Sequence, residues 1–221
     1  MPGQTAIDKV TKIIEQDKDD LVNLAVDLGR TPSPTGKELE VATKVVNWFN
    51  ENGINAYIQP ITQQSANAIA MIPGVEDGTS LIVDAHLDTG GELSPTASDT
   101  EKLINGAWVE DGLIYGIGVV NCKGQVAAFM AAARAIKKAG VSLKGDLIIA
   151  GAAFEIGEPS VDDKQGINYP GEGFGSRWLI DRAITADYAL IGETTQFGIV
   201  TAECGDLRLK IRIRGRNLYT P

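Results

Sequence analysis

In the stretch LIVDAHLDTG, residues 81–90, an apolar run (Leu81, Ile82, Val83) ends in Asp84, and His86, the only histidine of the chain, follows two positions on. Asp88 stands two further along. A short apolar run of this kind reads as a buried strand, and open α/β sheets bind ligands beyond the carboxyl ends of their strands. A strand that delivers a histidine and a carboxylate to that end suits a metal or catalytic site. The same pair is also an ordinary strand end, so the weight falls on what the other strands bring to the same edge.

Upstream, Ile7, Val10, Ile13, Ile14, Leu21, Leu24, Ala25 and Leu28 recur at helical spacing. They predict one surface helix, or two broken near the charge run at Asp17–Asp20. TPSPTGKE, residues 31–38, is a proline-rich loop in which Thr35 and Glu38 have the spacing of a capping box for the next helix. That helix carries Leu39, Val41, Ala42, Val45, Val46, Trp48 and Phe49 and stops near Asn52-Gly53. Strands are expected at 56–61 and 66–72.

Downstream, residues 90–106 are rich in Gly, Ser and Thr and read as a long loop of the functional kind. WVEDGLIYGIG then turns back on itself at Asp111-Gly112. The alanine-rich segment 124–138 is a helix closed by Gly140. The run 145–154 is a buried strand leading to Glu155, residues 157–172 form a polar loop, and a helix over about 175–184 precedes another buried strand, 189–192, which ends in Glu193. Strands alternating with helices predict an α/β fold with a mostly parallel, doubly wound sheet and helices on both faces. From Gly198 the pattern changes to alternating apolar and basic residues, LRLKIRIRG, so a domain boundary is placed near residue 196: a catalytic part at 1–196 and the start of a second, α+β domain at 197–221.

The composition excludes several functions. With 221 residues, 43% of them hydrophobic, the chain can bury a substantial core. Its net charge of −9 disfavours nucleic acid and anionic membranes as partners. No secretory leader pattern and no run of about 18 apolar residues occurs. Two widely separated cysteines, Cys122 and Cys204, form no disulfide framework and suit a reducing compartment, so the expected location is cytoplasmic.

Three apolar runs thus end in ligand-capable residues: His86 with Asp88, Glu155, and Glu193. Carboxylates gathered at one sheet edge are costly unless a cation shares their charge. Histidine nitrogen and carboxylate oxygens around an open position suit zinc, with cobalt or manganese as substitutes. Asp88, two residues from His86, is placed to accept the other ring N–H and fix the tautomer. A thiol nucleophile, Cys122 with His86 as its base, is a minor alternative.

The ordered set SPTGKE (33–38), HLDT (86–89), DGLIYGIG (111–118), NCKG (121–124), EIG (155–157), IGET (191–194) and RLKIRIRGR (208–216) resembles the cocatalytic zinc metallopeptidase and amidohydrolase family of aminoacylases, acetylornithine deacetylase, succinyl-diaminopimelate desuccinylase and glutamate carboxypeptidases. The resemblance implies metal-assisted amide hydrolysis of an N-acyl amino acid or small peptide, with one or two zinc ions. It implies metal ligands at His86, Asn121, Glu155 and Glu193, and catalytic roles at Asp88 and Glu155. It also implies an inserted lid domain through which the full-length protein forms a homodimer.

Four departures accompany the likeness. Asn121 stands where the family has a carboxylate bridging two metals, and Phe154 where it has the glutamate that takes a proton from water. Either Glu155 or Glu158 then acts as base, or hydrolysis is lost and the chain serves as a binding or scaffold protein. Tyr219 replaces a lid-domain histidine, and no second histidine supplies the last ligand, so the chain reads as an N-terminal fragment.

Overall fold

In a computed structural model of the protein, residues 2–90, 106–156 and 173–202 are described. The element order is α1 (Pro2–Gln16), α2 (Lys18–Gly29), α3 (Leu39–Glu51), β1 (Asn55–Pro60), β2 (Ala66–Ile72), β3 (Leu81–His86), β4 (Trp108–Glu110), β5 (Leu113–Tyr115), α4 (Gly124–Lys138), β6 (Leu147–Ala152), α5 (Phe174–Ile180) and β7 (Tyr188–Ile191). The N-terminal helical stretch is indeed two helices, parted at Asp17 within the charge run. The expected loops at 90–106 and 157–172 lie almost entirely outside the described residues, as does the alternating segment LRLKIRIRG.

Five strands form the main sheet in the order β1-β2-β6-β3-β7. The class is α/β, as the alternation of elements predicts. The sheet is mixed: β3 runs parallel to both β6 and β7, whereas β2 is antiparallel to both β1 and β6. The short connection between β1 and β2 permits only the antiparallel arrangement, since a parallel crossover needs a dozen or more residues. β4 and β5 make a separate hairpin turned at Asp111 and Gly112, both at positive φ.

Alternation along the strands divides the core between the two faces. Ala68, Ala70, Val83, Ala85 and Ile149 pack with α2, α3 and α4 through Leu28, Val45, Phe49, Val126 and Met130. Burial of each large side chain in this layer contributes roughly 1.5–3 kcal/mol. Ile69, Ile148 and Ala150 face the other way, against Leu179 of α5. Helices therefore cover both faces. No helix among the described residues is long and apolar enough to cross a membrane.

Two local expectations are corrected. Thr35 and Glu38 do not form a capping box: α3 starts at Leu39 without a side-chain cap, the Thr35 hydroxyl donates to Asp88 Oδ2 at 2.9 Å, and Glu38 Oε1 accepts from the Gly36 N–H at 2.7 Å. The longer-range partner outcompetes the local one. β7 is not buried either; all four of its residues are exposed, and among the described strands it is the edge of the sheet, paired with β3.

Candidate metal centre

Parallel register sets the site. His86 lies opposite Ala152 and Asp84 opposite Ile191, so β6 and β7 stop close to the level at which β3 delivers its histidine. The residues that follow, Glu155 after β6 and Glu193 after β7, emerge at the same edge as His86. His86 is buried, 2% exposed. Its Nε2 lies 3.6 Å from Glu155 Oε2 and 3.4 Å from Glu193 Oε1.

The fourth contributor is the turn between β5 and α4. Gly118 opens it in the left-handed region, φ +74°, where a Cβ would collide with the Thr89 side chain; only glycine fits. The turn Val119–Lys123 leaves helical geometry at Asn121 and Cys122. It brings Asn121 Oδ1 to 2.6 Å from His86 Nε2. Cys122 is fully buried, with its sulfur 3.1 Å from Asn121 Oδ1 and 3.0 Å from the Gly192 carbonyl. Lys123, also buried, donates to the Thr31 carbonyl at 2.6 Å and ties the turn to the end of α2.

Asp88 is wholly buried. His86 Nδ1 is closest to the backbone carbonyl of Asp88, at 2.8 Å, with the carboxylate at 3.3 Å. The nearer partner of that ring nitrogen is thus the backbone carbonyl of Asp88 rather than its carboxylate. The carboxylate itself is turned toward the β6 end, where Oδ1 accepts the Glu155 N–H at 3.1 Å and Oδ2 accepts the Ile156 N–H at 2.8 Å, besides the Thr35 hydroxyl. Ser33 completes the attachment by donating to the Leu87 carbonyl at 2.7 Å. Sequence reasoning missed the support that Ser33 and Thr35 give to the site; the signal that could have found it is that both belong to the SPTGKE motif, which reads locally as a loop.

Phe154 is buried and held at φ +56°, with its ring edge-on to Phe174 at 6.0 Å. Its N–H donates to Glu38 Oε1 at 3.3 Å. Glu158 and Tyr219 lie outside the described residues.

The electrostatics of the cluster are those of a site short of positive charge. Burial alone would lower the His86 pKa, but hydrogen bonds with Asp88, Cys122 and Asn121 outweigh it and push it up to about 11. Burial raises the Glu155 carboxyl above its ordinary value; His86 opposes this, and the charges of Glu193 and Asp88 add to it. Beneath His86, Asp84 is pushed up to about 6, chiefly by burial, and accepts the Ser176 hydroxyl at 2.7 Å.

The donor set fits a zinc-class cation. Bonds of about 2.0–2.3 Å in a tetrahedron put neighbouring ligand atoms about 3.3–3.7 Å apart. The two His86–glutamate separations fall in that range, and ligand atoms of His86, Cys122 and Glu193 all lie within 4.8 Å of one another.

The sequence profile of peptidase family M20/M25/M40 matches residues 82–210, and the chain belongs to that family. Among solved structures, it is similar to the aminopeptidase PepT of Bacillus cereus, with 21% identity and a TM-score of 0.53, covering 77% of this chain and 42% of that one. It is also similar to the dipeptidase Dug1p of Saccharomyces cerevisiae, with 14% identity and a TM-score of 0.61 over 84% of this chain and 40% of that one. A third is the Bacillus subtilis YXEP protein, a dinuclear metal-binding peptidase, with 19% identity and a TM-score of 0.51 over 80% and 42%. These likenesses describe the fold. The chain spans about two fifths of the length of each of these structures.

Proposed function

We propose that this chain forms the metal-binding part of a zinc-dependent hydrolase that cleaves an amide bond in a small peptide or an N-acyl amino acid. The observation that carries this reading is the placement of two carboxylates 3.4 and 3.6 Å from one buried imidazole nitrogen. A divalent cation at that place offsets the charge of both carboxylates. Cobalt or manganese are the expected substitutes for zinc.

His86 and Glu193 hold the ion in this proposal, with Asn121 beside them as a neutral oxygen. A bound divalent cation supplies polarisation of the scissile carbonyl and a water made acidic by coordination. Glu155 is the carboxylate left to move a proton, because Phe154 presents a buried phenyl ring where the family has its base. The Glu155 side chain, 44% exposed, is open to water and substrate, whereas Asp88 is wholly buried and spends its oxygens on N–H and O–H donors. Asp88 accordingly positions His86 and the 155–156 backbone. The free, buried thiol of Cys122 suits a reducing compartment, in keeping with a cytoplasmic protein. Residues 1–196 form the catalytic part, and 197–221 open the lid through which full-length chains pair.

The test is metal content together with turnover. The purified chain retains stoichiometric zinc and His86→Ala loses it; the full-length protein hydrolyses members of a panel of dipeptides and N-acetyl amino acids. Absence of zinc from protein with His86 intact overturns the proposal, and zinc without turnover reduces it to metal binding alone.

A further inference from the structure

Asn121 removes a negative charge from the place where a carboxylate would bridge two metals, and the adjacent residue offers a replacement. Cys122 sits on the same turn, fully buried, its sulfur between Asn121 Oδ1 and the carbonyl of Gly192, the residue before Glu193. Its Sγ shares a 4.8 Å cluster with ligand atoms of His86 and Glu193. A buried cysteine is commonly a small core residue. Here, however, the thiol also converges with an imidazole and a carboxylate, the three donor atoms lying within 4.8 Å of one another.

We propose that Cys122 is a metal ligand, its thiolate restoring the charge that Asn121 lacks, so that one zinc-class ion is held by His86, Cys122 and Glu193. This rests on the metal-centre reading above and goes beyond it in naming a sulfur donor. On binding, a metal–sulfur bond forms, the S–H bond breaks and its proton passes to solvent. Two consequences follow. The site takes a single ion, because a terminal thiolate and a neutral amide leave no bridging carboxylate between two dications. It also favours zinc, cobalt and cadmium over manganese, since thiolate is a soft donor and manganese prefers oxygen.

Cobalt(II) titration of metal-free Cys204→Ser protein provides the test, Cys122 then being the only thiol. The expected result is an intense near-ultraviolet thiolate-to-cobalt charge-transfer band that saturates at one equivalent, alongside the visible ligand-field bands. In a Cys122→Ser, Cys204→Ser protein the charge-transfer band is lost while visible bands remain. Ligand-field bands without charge transfer in the Cys204→Ser protein overturn the sulfur ligand and leave the metal centre standing. No cobalt uptake at all overturns both. The single-variant spectrum decides the matter even where removal of Cys122 prevents folding.

Discussion

The two sides of the metal centre are built differently. On the β3–β6 side, His86 and Asp88 are buried, and the carboxylate of Asp88 binds the backbone N–H groups of Glu155 and Ile156 and the Thr35 hydroxyl. On the β7 side, the strand is exposed along its length, and Glu193 Oε2 accepts the N–H of its neighbour Thr194 at 3.2 Å. One side is embedded in the fold; the other lies at its rim. Such a site should separate stability from ligand affinity, because removing a group on the embedded side leaves buried partners unsatisfied, while a rim group is replaced by water.

The largest effect is expected at Asp88. Asp88→Ala leaves two backbone N–H groups and a hydroxyl, all half-buried, without their acceptor and should cost about 3 kcal/mol of unfolding free energy, at roughly 1 kcal/mol for each group. Urea denaturation of the metal-free protein measures it. A loss below about 1 kcal/mol would mean that the embedded side relaxes as freely as the rim.

Glu38 sharpens the same contrast through pH. It is fully buried, Oε1 holds the N–H groups of Gly36 and Phe154, and Oε2 has no hydrogen bond of good geometry among the described residues. Burial raises its carboxyl above the ordinary 4.5, with the Ser65 hydroxyl and the Gly36 N–H opposing. The sign is then fixed: the native state keeps this proton to higher pH than the unfolded chain, so its contribution is fully present below 4.5 and is lost as pH rises through the raised native value. Glu38→Gln keeps an acceptor for both N–H groups and adds a donor that can face the Ser65 oxygen. It should abolish that component of the pH dependence and hold or gain up to about 1 kcal/mol at neutral pH, read from denaturation midpoints across the acid range. An unchanged pH profile would show that Glu38 does not titrate differently in the folded state.

The same contrast explains what the sequence made legible. The embedded strands are apolar runs ending in charge, so β3 and β6, the approach of His86 and Glu155, and the alanine-rich α4 are all apparent from the residues. Thr35 and Glu38 misled because capping spacing is a local signal, and the hydroxyl that satisfies it bonds instead to Asp88, far away in sequence. β7 misled because YALI is as apolar as a central strand, and a strand's own composition does not say whether a neighbour covers it. Cys122 was legible only as a thiol near a histidine. Its convergence with Glu193 depends on the turn opened by Gly118 and on the parallel register of β3 and β7, both of them tertiary facts.

Glu193→Gln should give the smallest change in stability and so tests the rim directly. Its side chain is 40% exposed, water can solvate either form, and the substitution preserves size, so unfolding free energy should stay within about 0.5 kcal/mol of the parent. Zinc affinity should nevertheless fall at least tenfold in competition with a chromophoric chelator, because a neutral amide replaces a charged donor at 3.4 Å from His86 Nε2. If stability drops as far as in Asp88→Ala, the rim is as integral to the fold as the embedded side. If zinc affinity holds while stability does too, Glu193 is a bystander, and the ion is held by groups on the other side of the site and on the Gly118 turn.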